Sequence, residues 1–284
     1  MAAFMATRIR LLAIDIDGTL LDSRFHLSEA NRDAVAAAHR LGTEIVLVTG
    51  RRFSSARPIA AQIPVDLTLI ASNGALIKSK AGLTLARQLL PRPQARAVLA
   101  AAGNYRAAAV LLFDRDGPGQ IVAEHLDSRH APVAGYFQRN RQFLLQVEPL
   151  EAALTEDPIQ VLFAGAVAPM QALAEQLARA SCAAAVSLAR TEYPARDLTL
   201  LDVLDRGCSK GAALGRWART RSIRLEETMA IGDNWNDREM LEFAGLPVLM
   251  GNSSAALKRA GWAITASNDE DGVARAIEKF IFAR

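Results

Sequence analysis

"LAIDIDGTLLD", residues 12–22, runs an apolar stretch straight into Asp15 and Asp17 and then meets Gly18. An ionised carboxylate loses hydration that apolar surroundings do not replace, so two acids directly behind a core strand need a reason to be there. In a doubly wound parallel sheet, ligands gather beyond the carboxyl ends of the strands, where the strand order reverses. Acids at that rim have just left the core and face the ligand.

The flanking segments repeat the same rhythm. "RIRLLAID" (8–15) predicts a strand, and "SEANRDAVAAAHRLG" (28–42) a helix with Ser28 as N-cap and Gly42 just past its end. "EIVLVTG" (44–50) is an uninterrupted apolar run of the kind a parallel sheet buries on both faces. "SSARPIAAQ" (54–62) predicts a short helix that Pro58 breaks or starts, and "LTLIASNG" (67–74) a third strand. After residue 206 helices and strands alternate again, from "KGAALGRWARTR" (210–221) through "TMAIGDN" (228–234) to "DGVARAIEKF" (271–280).

Between about 76 and 205 the pattern changes to paired short strands, as in "ALIKSKAGLTLARQLL" (75–90), with Gly82 at the turn, and "AAAVLLFDRDGPGQIVAEHL" (107–126). The helix "MQALAEQLARAS" (170–181) lies between further strands. The expected fold class is α/β, a Rossmann-like doubly wound parallel sheet core with an inserted α+β unit. The expected boundaries are core 1–83, insertion 84–205 and core 206–284.

A net charge of +3 and a pI near 9.1 reflect a mild arginine excess, which suits a small anionic substrate. No block of Lys and Arg interleaved with aromatics marks a nucleic-acid groove, and no apolar stretch is long enough to span a bilayer. Cys182 and Cys208 are too few for a disulfide framework or a zinc site. Reduced thiols and the interrupted N-terminal apolar run predict a cytoplasmic protein. His26, His39, His125 and His130 have no metal-ligand spacing and read as helix-face or loop residues.

Asp15 and Asp17, Thr49, Asn73 and Asp233 stand at the ends of four predicted strands, which the fold brings to one rim. Carboxylates gathered with water make a site for Mg²⁺, a hard cation that prefers oxygen. Asp15, the Asp17 main-chain carbonyl and Asp233 are candidate ligands. With the cation bound, an anionic phosphate can approach a carboxylate, and aspartate is a competent nucleophile at phosphorus. A second Asp-x-Asp-Gly, in "FDRDGPG" (113–119), lacks the other positions of a calcium loop and reads as a hairpin turn.

Four ordered motifs carry a resemblance: "DIDGTL" (15–20), "VTGRR" (48–52), "CSKGAAL" (208–214) and "GDNWND" (232–237). With "SNGA" (72–75) and "MGNSSAALKRAGWAITASNDEDGVARAI" (250–277), the chain resembles the haloacid dehalogenase superfamily of phosphohydrolases, in its Cof-type class with a large α/β cap of type C2. The resemblance covers nearly all of 9–82 and 206–278 and is thin between them. Ser253 stands where the family usually has Ala, and Trp235 is bulkier than its fourth motif usually holds.

The resemblance implies a Mg²⁺-dependent phosphatase in which Asp15 is the nucleophile. Asp17 is then the general acid for the leaving alkoxide and the base for water. Thr49 and the Gly50 amide bind the transferring phosphoryl group, and Lys210 contacts both Asp15 and phosphate. Arg51, Asn73 and Asn236 complete the expected substrate-binding set with Thr49, Gly50 and Lys210. Asp237 joins Asp15, Asp17 and Asp233 as metal-binding, either directly or by orienting the ligands. The insertion becomes a cap that selects a small phosphorylated metabolite, with sugar phosphates ahead of nucleotides, flavin mononucleotide or pyridoxal phosphate. A phosphomutase and a non-catalytic binding protein on the same scaffold are the alternatives.

Overall fold

The computed structural model describes residues 8–126 and 130–283. The first stretch of the chain forms β1 (Leu11–Asp15), α1 (Glu29–Arg40), β2 (Glu44–Val48), α2 (Phe53–Ala61), β3 (Thr68–Ala71), β4 (Leu76–Ser79) and β5 (Thr84–Arg87). The middle forms α3 (Arg92–Ala101), β6 (Ala109–Leu112), β7 (Ile121–Ala123), α4 (Ala131–Arg139) and β8 (Leu144–Gln146). It continues with β9 (Gln160–Gly165), α5 (Val167–Ala178), β10 (Val186–Tyr193) and β11 (Leu198–Asp205). The chain closes with α6 (Lys210–Thr220), β12 (Thr228–Gly232), α7 (Arg238–Phe243), β13 (Leu246–Leu249), α8 (Ala255–Lys258), β14 (Ala263–Ile264) and α9 (Gly272–Ile277).

Two compact units result, one running through Arg87 and resuming at Ser209, the other Gln88–Cys208. The first is built on an eight-stranded sheet in the order β14-β13-β12-β1-β2-β3-β4-β5, parallel from β14 to β3. β1 is the switch point: the chain winds outward through β2 and β3 on one side and through β12 to β14 on the other. Side-chain alternation along β1 feeds both faces. Leu12 and Ile14 join a core closed by α1, α2 and α9, while Leu11 and Ala13 join one closed by α6, α7 and α8. Ser28 caps α1 by accepting from Asn31 N, as its position before the apolar repeat predicts. Pro58 lies inside α2.

The hairpin expected around Gly82 forms, with Gly82 at φ +107°. Both of its strands, however, belong to the larger sheet: β4 pairs antiparallel with β3, and β5 with β4. The first unit therefore runs past residue 83 to Arg87, and the other edge of the insertion falls at Cys208. Turn chemistry and alternation identify a hairpin but carry no information about which sheet it extends.

The second unit is a six-stranded sheet, β10-β11-β9-β6-β7-β8, antiparallel except between β7 and β8. α3 and α5 pack on it through Val98, Leu99, Leu173 and Leu177 against Val161, Phe163, Leu201 and Val203. "FDRDGPG" connects β6 to β7, with Phe113 N donating to Gln120 O at 3.0 Å. Asp114 and Asp116 belong to no metal-ligating group among the described residues, and neither do the four histidines. Among the described residues no helix is long and apolar enough to cross a membrane. Cys182 and Cys208 are buried, and neither is in a disulfide.

Candidate active site

β1 ends on Asp15, and the chain turns back at once: Leu20 N donates to Asp15 O at 3.2 Å and Leu21 N to Ile16 O at 3.0 Å. The turn requires Gly18. Its φ is +78°, and a Cβ there would lie 2.5 Å from Asp233 Oδ2. Left-handed backbone and close approach each exclude a side chain. Gly18→Ala is expected to displace Asp233 and cut kcat by about 10²-fold, the usual cost of an ångström-scale misplacement. Kinetics across a Mg²⁺ titration check this, and an unchanged kcat would show that the contact is dispensable.

Two further side chains hold this turn. Thr19 Oγ1 donates to Asp233 Oδ1 at 2.8 Å, and Asn252 Nδ2 donates to Gly18 O at 2.8 Å. Neither residue is among the candidates named from sequence. Thr19 stands inside the first motif and Asn252 inside "MGNSS", but their partners lie more than 200 positions away and emerge only on folding.

Lys210 opens α6, whose N-cap Ser209 accepts from Ala212 N. The helix dipole disfavours a cation at this end. Two carboxylates outweigh it: Lys210 Nζ is 2.5 Å from Asp15 Oδ1 and 2.6 Å from Asp237 Oδ1, with the lysine side chain 1% exposed. Burial by itself would lower the lysine's pKa, but the charges of Asp15 and Asp237 hold it above its ordinary value. Asp237 is fully engaged on its other side, where Oδ2 accepts from the main-chain N–H groups of Asp233 and Asn234, both at 3.0 Å.

Carboxylate oxygens of Asp15, Asp233 and Asp237 lie within 4.8 Å of one another. Were all three carboxylates ionised, one ammonium would leave two negative charges unbalanced in a buried site, so the site favours taking up protons or a cation. Burial first and then Asp237 push the Asp15 carboxyl well above its ordinary range, against the pull of Lys210. The same two causes raise Asp233 to about 7, opposed by the Thr19 hydroxyl. An all-oxygen donor set with surplus negative charge fits a hard divalent cation. Asp15 and Asp233 are its best-placed ligands, since Asp237 already accepts from Lys210 and two amides.

The Asp17 carboxylate is not part of this acidic group. It pairs instead with Arg51, through Nε at 2.6 Å and Nη2 at 2.5 Å. Thr49, directly after β2, is buried, and its Oγ1 accepts from Arg51 N at 3.1 Å. Asn73 is wholly buried, and its Oδ1 accepts from Asn236 Nδ2 at 3.0 Å. A Cβ on Gly50 would lie 3.2 Å from Asn73 Oδ1, so Asn73 stands directly against the Gly50 backbone. Trp235 is accommodated by packing on the apolar cluster of α6 and α7.

The strand ends after β1, β2, β3 and β12 thus meet as one polar rim. A family model described as haloacid dehalogenase-like hydrolase matches residues 12–277. The chain belongs to that family. Phosphatase YwpJ of Bacillus subtilis (strain 168) is 30% identical to this haloacid dehalogenase-like hydrolase over 298 aligned residues, covering 96% of this chain and 100% of the relative. The HMP-PP phosphatase of Cronobacter sakazakii (strain ATCC BAA-894) is 32% identical over 256 residues, 87% of this chain and 86% of the relative. Among solved structures, BT1666 from Bacteroides thetaiotaomicron, one of the phosphatases of the haloalkanoate (HAD) enzyme superfamily, superposes with a TM-score of 0.81. It is 26% identical and covers 99% of this chain and 98% of its own. The hydrolase is accordingly a phosphatase.

Proposed function

We propose that the protein is a Mg²⁺-dependent phosphatase that hydrolyses a small phosphorylated metabolite, a sugar phosphate foremost, through a phosphoryl group carried on Asp15. The observation that supports this best is the buried cluster of Asp15, Asp233 and Asp237 beside Lys210, in which three carboxyl groups face one ammonium. With those carboxylates ionised, as nucleophilic attack by Asp15 requires, a phosphate dianion would be repelled unless a divalent cation shared the site. Bound by Asp15 and Asp233, Mg²⁺ supplies Lewis-acid neutralisation of the phosphoryl oxygens. The similarity to an HMP-PP phosphatase supports a small phosphorylated substrate. The insertion serves as a cap that selects the non-phosphate part. Two buried cysteines outside any disulfide fit a reducing, cytoplasmic setting.

The remaining steps belong to the side chains. An Asp15 carboxylate oxygen attacks phosphorus while the ester P–O bond breaks, and Asp17 gives its proton to the departing alkoxide. Asp17 then takes a proton from water as that water attacks the same phosphorus, breaking the Asp15 O–P bond and releasing inorganic phosphate. Thr49 and the Gly50 N–H hold the transferring phosphoryl oxygens. Lys210 offsets the charge that builds on Asp15 and the phosphoryl group, at a place organised before reaction. Asp237 keeps Lys210 and the turn at Asp233 in position, and Asn73 with Asn236 supports Gly50.

A screen of phosphorylated metabolites, reading released inorganic phosphate, tests the proposal. A phosphomutase would conserve total ester phosphate, and a binding protein would release none. Excess chelator is expected to silence turnover and added Mg²⁺ to restore it; persistent activity under chelation would sink the metal site. The Asp233 carboxyl at about 7 sets a pH dependence. Below that value a proton must leave before the cation binds, so apparent Mg²⁺ affinity should weaken by up to about tenfold per pH unit. Without metal, the native state holds a proton that the unfolded chain releases, because the folded value lies above the ordinary 3.8. Stability from this group therefore falls as pH rises from about 4 to about 7. The Mg²⁺-induced rise in Tm should be larger at pH 8 than at pH 6, and an equal rise at both would contradict this.

A further inference from the structure

Arg51 leaves the end of β2 with its backbone held on both sides. Its N–H donates to Thr49 Oγ1 at 3.1 Å, and its carbonyl accepts from Ser72 N at 2.9 Å. Ser72 and Asn73 both have left-handed backbone, at φ +50° and +52°, so this support is itself a strained turn of the kind kept where position matters. From that base the guanidinium reaches Asp17 side-on, Nε to Oδ2 at 2.6 Å and Nη2 to Oδ1 at 2.5 Å. A planar fork sets the plane of the carboxylate as well as its distance, which the point charge of a lysine does not.

The pair is 25% and 19% exposed on its two side chains, and in a partly buried ion pair the cost of desolvation offsets much of the Coulomb attraction. Ordering a long arginine side chain also costs conformational entropy. Stability therefore does not account for the arrangement, whereas placing a proton-transfer group does. The fork takes one lone pair on each Asp17 oxygen, and an ionised carboxylate offers about four acceptor sites. A lone pair on each oxygen is left to exchange a proton with the leaving group or with water.

We propose that Arg51 is a positioning residue that holds the Asp17 carboxylate in the orientation needed for proton transfer, rather than a ligand for the substrate phosphate. This role rests on Asp17 acting as the acid and base of the reaction proposed above. A group that works through the general acid matters most when the leaving group needs its proton. A group that binds phosphate matters equally for every ester.

The test is a series of substituted phenyl phosphates, from 4-nitrophenyl to 4-methoxyphenyl, turned over by the wild-type protein, Arg51→Met and Arg51→Lys. Arg51→Met is expected to lower kcat/KM for the 4-methoxyphenyl ester by about 10²-fold, within the range of general-acid catalysis, and at least about tenfold more than for the 4-nitrophenyl ester. Arg51→Lys, which keeps the charge without the fork, should show the same leaving-group bias. Competitive inhibition by inorganic phosphate should change less than about threefold. In an Asp17→Asn background, Arg51→Met should add less than about twofold, because coupled residues are not additive. Equal losses across the series with weakened phosphate inhibition, full recovery by lysine, or an undiminished effect without Asp17 would each overturn the proposal. If Arg51→Met does not fold, judged by circular dichroism, Arg51→Lys carries the same comparison. Failure of the reading on which this rests is distinguishable, since Asp17→Asn would then show no leaving-group bias of its own, whatever Arg51 does.

Discussion

Asp15→Asn is expected to lower kcat by on the order of 10⁴-fold or more, as loss of a covalent nucleophile does, while the Tm of the metal-free protein holds or rises. The two effects have one origin. Asp15 shares a buried site with Asp237 and Asp233, and its carboxyl is pushed up by burial and by Asp237 more than Lys210 relieves it. Asparagine has nearly the same shape but no charge, so the repulsion disappears. Lys210 keeps Asp237 at 2.6 Å, and the cluster stays paired. The amide is a poor nucleophile at phosphorus, so no phosphoryl group can be carried. Phosphate release and thermal melting with chelator present are the two readouts. Normal release by a folded Asp15→Asn protein would rule out the covalent route, and a marked drop in Tm would mean that the Asp15–Lys210 pair outweighs the carboxylate repulsion.

Lys210→Met is expected to cost about 3–5 kcal/mol of stability in chelator, the usual cost of removing one partner from a buried ion pair. Lys210 is the first residue of α6 and bridges Asp15 and Asp237, whose side chains are almost wholly inaccessible. Methionine fills similar space but leaves those carboxylates facing each other. Added Mg²⁺ should recover part of the stability by supplying positive charge beside Asp15. It should not recover turnover, which is expected to stay about 10²–10³-fold down because the ammonium acts on charge that develops during transfer. Urea melts with and without Mg²⁺, paired with kcat, decide the matter. An unchanged urea midpoint in chelator would show that the cluster is not held by this lysine.

The two experiments separate parts of the site that the sequence presents very differently. Asp15 is conspicuous in the chain, because an apolar strand running into a carboxylate contradicts the ordinary preference for burying apolar groups. Lys210 is less so: it is conspicuous only against the helix dipole, as a cation at the wrong end of α6. Asp237 could pass for an acid in the first turn of a helix. Only the fold shows that it accepts from Lys210 on one oxygen and from two main-chain amides on the other.

Hydrophobic periodicity, the apolar runs of β1 and β2 and the acids behind them determined the doubly wound core and placed Asp15, Thr49, Asn73 and Asp233 at strand ends. Those features are local, set by side-chain transfer energies and by φ preferences that neighbours in the chain impose. What the tertiary structure decided is pairing. The β4–β5 hairpin extends the larger sheet, Thr19 and Asn252 brace the turn at Gly18, and Asn73 lies against Gly50 on the amide of Asn236. The same holds for Arg51, which a reading of "VTGRR" directs toward substrate and the fold directs onto Asp17. Partners such as Arg51 and Asp17 are 34 positions apart, and Lys210 and Asp15 are 195 apart. A directional interaction of a few ångströms depends on where whole strands and helices come to rest, and no pattern along the chain encodes that distance.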